Sequence, residues 1–147
     1  MTGCSGNRTK IRIIGRRYCC RDLPGGKGDK YVGQSSNSCC KTCFYNYVSR
    51  DLVTSTTPCF TPEIDVSPIK TYSILVVNTG PGSALVQPEI SPDGQIWSSF
   101  GEMPYIITPG GKQLIIPQFF LRYVRLKYIT WRSSCNTRIT VWLQGQG

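Results

Sequence analysis

A chain of 147 residues with 17 Lys or Arg, 8 Asp or Glu, a formal net charge of +9 and no histidine has the length of one small domain with an extension. The missing imidazole removes the usual general base and the triads built on it, and a Cys nucleophile would need another activator, so no enzyme and no cofactor is expected. The basic excess sits in the front half, where residues 1–70 hold eleven Lys or Arg against five acids and residues 71–147 hold six against three; this suits either an acidic partner or a solvated segment.

Seven of the eight cysteines, Cys4, Cys19, Cys20, Cys39, Cys40, Cys43 and Cys59, precede residue 60, and Cys135 stands apart. That density favours an oxidising destination or a metal site over a reduced cytosolic protein. Residues 1–15 lack the apolar run of a secretory signal, and no segment reaches transmembrane length. The expectation is a leaderless chain, made in the cytoplasm and exposed after lysis, with no membrane partner.

In chain order, residues 1–9 are Gly, Ser, Thr and Asn around Cys4 and bury nothing. Residues 10–20 alternate Ile11 and Ile13 with Lys10 and Arg12, a strand-like run suited to adding itself to an open sheet edge; residues 1–20 read as an N-terminal arm. Residues 21–70 read as a Cys-rich extended segment with short strands. It holds a polar Gly/Ser connector, the aromatic run Phe44-Tyr45-Asn46-Tyr47-Val48 after Cys39-Cys40-Lys41-Thr42-Cys43, and a stretch in which Pro58, Pro62 and Pro68 resist helix and central strand.

Residues 71–147 read as the folded body. Strands are predicted at 72–78, 84–90, 95–100, 103–107, 112–116, 121–131 and 137–144, each rich in Val, Ile, Leu, Tyr or Trp. Turn chemistry separates them: Asn78-Thr79-Gly80-Pro81-Gly82, Ser91-Pro92-Asp93-Gly94, Pro109-Gly110-Gly111 and Ser133-Ser134-Cys135-Asn136. Val124, Leu126 and Tyr128 alternate with Arg125 and Lys127, and Ile139, Val141 and Leu143 with Arg138, Thr140, Trp142 and Gln144. The first of each set is expected in the core, and substitutions at Arg125 or Lys127 are expected to cost little. With no helical period, the fold class is all-β, an antiparallel β-sandwich or jelly roll with a Cys-rich N-terminal arm.

Asn78-Thr79-Gly80, Ile90-Ser91-Pro92-Asp93-Gly94 with Trp97, Pro109-Gly110-Gly111, Phe120-Leu121-Arg122-Tyr123-Val124-Arg125 and Trp142-Leu143-Gln144-Gly145-Gln146 resemble an uncharacterised β-domain family of spore-forming Firmicutes, over residues 71–146. These are turn and core residues, so the resemblance implies a fold and supplies no catalytic residues.

Several chemistries fit the remaining residues. Cys40 and Cys43 form a C-x2-C that, with Cys20 and Cys59, has the makings of a four-thiolate zinc site. The adjacent pairs Cys19-Cys20 and Cys39-Cys40 point to opposite sides in extended chain, which suits separate disulfide partners better than one ion, so no metal ligand is assigned. Tyr18, Tyr31, Phe44, Tyr45 and Tyr47 among basic residues suggest stacking on nucleic acid, but no binding motif supports it and no nucleic-acid partner is expected. Trp97, Trp131 and Trp142 offer aromatic faces for a glycan or another surface polymer.

The reading that uses most features is structural. In overall plan the chain resembles the endospore appendage fibre subunits of bacilli, leaderless jelly-roll proteins with a cysteine-bearing N-terminal connector. That resemblance implies a homopolymer built through the arm and sheet-edge augmentation, other surface or coat proteins as further partners, Cys4 or Cys19 and Cys20 as arm thiols, Cys135 as a receiving thiol, and Ile11 and Ile13 as the connector's apolar side chains. The other cysteines are candidate disulfide residues whose pairing stays open.

Overall fold

The computed structural model describes residues 43–132 and 134–147; the sites expected at Cys4, Ile11, Ile13, Cys19, Cys20, Cys39 and Cys40 lie outside the described residues. Among the described residues there are nine strands: β1 (Phe44–Val53), β2 (Cys59–Phe60), β3 (Ile64–Asp65), β4 (Thr71–Asn78), β5 (Ala84–Ser91), β6 (Tyr105–Ile107), β7 (Lys112–Ile115), β8 (Tyr123–Thr130) and β9 (Arg138–Gln146). They form two antiparallel sheets. One has the order β1-β9-β4-β7; in the other β8 carries β2 and β3 on one side and is followed by β5 and β6. The β structure therefore begins before Thr71: Phe44–Val53 pairs along β9 as the outermost strand of the four-stranded sheet.

The two sheets bury the residues that the alternation selects. Val124, Leu126 and Tyr128 from β8 and Ile139, Val141 and Leu143 from β9 all lie in the core, with Ile74, Val76, Val86 and Ile115. Period-two burial in β4 and β8 leaves every second side chain on the outer faces. One predicted strand is absent. Residues 95–100 make only an isolated bridge, Ile90 to Ser98, because Asp93 captures the backbone there: its Oδ1 accepts the N–H groups of Gln95 (2.8 Å) and Ile96 (2.9 Å), and Gly94 takes φ 77°. A side chain that satisfies two consecutive N–H groups leaves the ladder without those donors.

β1 contains a bulge. Ser49 pairs with Val141 and Leu52 with Ile139, so Arg50 and Asp51 together oppose Thr140, and Asp51 adopts φ 55°. Before the bulge Tyr45 and Tyr47 pack on the core; after it Leu52 does.

At one end of the sandwich the turns are held by buried polar groups. The Asn78 side chain, fully buried, donates to the carbonyls of Gly82 (2.7 Å) and Ile107 (2.9 Å) and accepts from Gly80 N–H (3.1 Å) and the Thr137 hydroxyl (2.6 Å). At the other end, buried Glu102 accepts the N–H groups of Gln118 (2.8 Å) and Phe119 (3.4 Å), tying the β5–β6 loop to the β7–β8 loop.

Candidate functional site

The described cysteines occupy separate places. Cys43 precedes β1 and exchanges backbone bonds with Gly147: Cys43 N–H donates to Gly147 (2.7 Å), and Gly147 N–H donates back (3.0 Å). It therefore sits where β9 ends. Cys135 is exposed in the turn that leads into β9. Nine strand residues lie between these places, and at ~3.3 Å per residue this is about 30 Å, the length of the sandwich. Cys59, 4% exposed, pairs with Tyr128 near the end of β8 that leads to the Cys135 turn. Neither Cys43 nor Cys59 is without a partner.

This geometry bears on the four-thiolate possibility. β1 carries the chain from Cys43 along ten residues to the pole where Thr54 meets Thr130 (2.8 Å), and Cys59 lies close to that pole. Cys43 and Cys59 are thus separated by on the order of 20 Å of strand, too far to share one tetrahedral ion with metal–sulfur bonds of about 2.3 Å. Among the described residues no group of three or more His, Cys, Asp or Glu side chains is placed to hold a metal.

The Cys135 turn is fixed on both flanks. Ser134 Oγ accepts Ser83 N–H (2.8 Å), Asn136 Oδ1 accepts the Thr130 hydroxyl (3.0 Å), and Thr137 N–H donates to Thr54 Oγ1 (2.8 Å). Gly82 packs against the Cys135 carbonyl so closely that a Cβ there would overlap it. Exposed Cys135 thus stands in a turn that is anchored through Ser134, Asn136 and Thr137.

The aromatic candidates divide by role. Tyr45 and Tyr47 face the core and Phe44 faces out, while Tyr18 and Tyr31 lie outside the described residues. Trp97 folds over the five-stranded sheet with its Nε1–H donating to Gly94 (3.1 Å), and the Arg125 guanidinium sits 4.0 Å from the Trp97 ring centre on one side and 4.0 Å from that of Phe60 on the other. Arg125 also binds Glu89 through Nη2 (2.8 Å) and Nε (2.9 Å), and Lys127 approaches the same carboxylate at 3.4 Å. Arg125 does point away from the core, as its alternation indicates. It is nonetheless the centre of a stack that pins the β5–β6 loop, contrary to the expectation that its substitution costs little. Trp131 lies beside Arg132, 4.7 Å from its guanidinium, and Trp142 faces out from the four-stranded sheet, where Arg50 stands 5.9 Å from its ring centre.

A family model described as a domain of unknown function, DUF6385, matches residues 65–147, more than half of the chain. The chain belongs to the DUF6385 family. The DUF6385 match takes in β4 to β9 and the Cys135 turn, and leaves β1, β2, Cys43 and Cys59 in front of it. A search of curated proteins gave no match. Among solved structures, the crystal structure of PirA is 14% identical over 68% of this chain and 92% of its own, with a TM-score of 0.46. The PBSX exported protein XepA is 12% identical over 69% of this chain but only 36% of its own, with a TM-score of 0.49. A structure of Bacillus endospore appendages, described as a family of disulfide-linked pili, is 8% identical over 79% of this chain and 97% of its own, with a TM-score of 0.46. Likenesses at this level carry no argument about what the DUF6385 chain does. Among its described residues no helix is long and apolar enough to cross a membrane.

Proposed function

We propose that the chain is a non-enzymatic, self-assembling subunit of a disulfide-crosslinked fibre or coat on a spore surface or outside the cell. The observation that carries this reading is polarity: the chain enters the sandwich at Cys43, at one end, and presents the exposed Cys135 from a pinned turn at the other. A segment leaving one pole of a subunit is well placed to reach the opposite pole of the next, and a contact of that head-to-tail type propagates as a filament unless its rotation closes a ring. The arm of residues 1–20 would then supply Cys4, or Cys19 and Cys20, to the neighbour's Cys135. Its strand-like run would lay Ile11 and Ile13 against the neighbour by sheet augmentation.

Covalent ties of this kind would hold the polymer after its non-covalent contacts had loosened. The test is deletion of residues 1–20, with Cys135→Ser as a separate variant, followed by non-reducing gel electrophoresis and electron microscopy. The full chain should give filaments and a ladder of multimers that collapses on reduction. The deletion should give monomers, and Cys135→Ser should retain the fold while losing the ladder. Filaments and ladders that survive both changes would remove the arm and Cys135 from the mechanism.

A further inference from the structure

The outer face of the four-stranded sheet is patterned in rows across the strands. Register places Val48 opposite Trp142, Trp142 opposite Leu75, and Leu75 opposite Leu114, so four apolar side chains line up from edge to edge. At ~4.8 Å between strands the row is about 14 Å long. Leu114 is 54% exposed within it.

The next row, two residues along each strand and so ~6.6 Å away, is neutral and polar: Asn46 opposite Gln144 and Gln144 opposite Ser73. Gln144 Nε2 donates to Asn46 Oδ1 at 3.2 Å, which holds the two amides side by side. Ser73, Leu75, Leu114, Trp142 and Gln144 line a shallow groove of about 260 Å³ between this row and the apolar one.

On the other flank cations outnumber the single carboxylate, Asp51 in the bulge. Arg50 reaches over Trp142, Lys112 pairs with Val77 beyond Leu75, and Arg138 opens β9. None of the three forms an ion pair among the described residues, whereas Arg122, Arg125 and Lys127 elsewhere all do. The only carboxylate on the four strands of this sheet is Asp51 in the bulge.

We propose that this face binds an acidic polysaccharide. An indole set in an aliphatic row receives the C–H face of a sugar ring, the amide and hydroxyl row meets ring hydroxyls, and Arg50 and Lys112 one row away, with Arg138 a row further, meet carboxylate or sulfate groups. A nucleic acid fits less well, because a single ring among aliphatic side chains gives successive bases nothing to stack on. The site lies on a sheet face and not at the poles, so it stands or falls independently of polymerisation.

The experiment is equilibrium binding of the full chain to a uronate oligosaccharide (oligogalacturonate), a sulfated one (a heparin fragment), the methyl-esterified uronate, and oligothymidylate. Saturable binding is expected for at least one of the two acidic glycans, which identifies the acid group, and binding to the esterified form should be at least fivefold weaker than to oligogalacturonate if the uronate is the ligand. Trp142→Ala should weaken glycan binding at least tenfold, Arg50→Gln with Lys112→Gln at least fivefold, and Trp131→Ala not at all. If Trp142→Ala fails to fold, Ser73→Ala with Gln144→Ala at the same groove replaces it and should weaken binding at least fivefold. Lack of binding to either acidic glycan, tighter binding of oligothymidylate, or affinity indifferent to the groove variants overturns the proposal.

Discussion

Arg125→Ala tests whether an outward-facing residue holds the five-stranded sheet and its loop together. The wild-type guanidinium makes two bonds to one Glu89 oxygen, at 2.8 and 2.9 Å, with side chains only 21% and 11% exposed. A charged hydrogen bond in such a setting contributes about 1.5–3 kcal/mol. The rings of Phe60 and Trp97, each 4.0 Å away, add roughly 0.5–1 kcal/mol apiece. Because these contacts share one group they do not add fully, and a loss of about 3 kcal/mol is expected, with Glu89 left to Lys127 alone. Arg125→Lys keeps the charge but loses the planar fork and its stacking, and should lose about half as much. Urea denaturation followed by far-UV circular dichroism gives the stability difference, and limited proteolysis reports whether residues 92–104 become easier to cut. Arg138→Ala, at an exposed position without an ion pair among the described residues, is the reference and should lie within about 0.5 kcal/mol of wild type. If Arg125→Ala matches that reference and the loop resists protease equally, the stack is not a stabilising unit and the reasoning fails.

Leu126→Ala should cost about 2–5 kcal/mol, since the side chain is 1% exposed in the centre of β8 and its removal leaves a cavity; denaturant midpoints measure it. Asn78→Ala should cost about 2–4 kcal/mol, because it deprives two buried carbonyls and the Thr137 hydroxyl of partners, and amide exchange should accelerate first in the turns it joins. The Tyr72 hydroxyl is buried and has no hydrogen-bond partner among the described residues. Burial first, and the nearby Glu102 charge second, push it up to about 12. A raised phenol pKa gives stability that is present below about pH 10 and lost as pH rises through 12. Tyr72→Phe should therefore flatten the alkaline loss over that window and leave stability at pH 7 unchanged or higher by up to about 1 kcal/mol, as thermal melts across pH would show.

The sandwich was legible wherever side-chain period and turn chemistry agreed. β8 and β9 alternate cleanly, and Gly94 and Gly110 take the positive φ that their turns require. The segment 95–100 failed as a strand because Asp93 competes for its N–H groups, a local effect that composition conceals. β1 was harder to place, since its alternation changes phase within the strand, and β2 and β3 are two residues each, below any detectable period. The outward direction of Arg125 could be read from its neighbours, but the rings that enclose it come from positions 60 and 97, far apart in sequence. The poles were not legible at all: that Cys43 and Cys135 stand at opposite ends follows from the pairing of β1 with β9, and a single sequence carries no signal for pairing between strands so distant.

The bulge at Asp51 also constrains how this strand can change in length. Inward positions are odd-numbered up to Ser49 and even-numbered from Leu52, so the extra residue is what brings Leu52 to the core and Thr54 to its buried bond with Thr137. Losing one residue after the bulge, or gaining one before it, would invert the facing of everything between that point and the nearest fixed contact. Insertions and deletions in β1 are therefore tolerable only in steps of two, or in compensated pairs. Among related chains, the length of this strand should vary by even numbers, whatever side chains it carries.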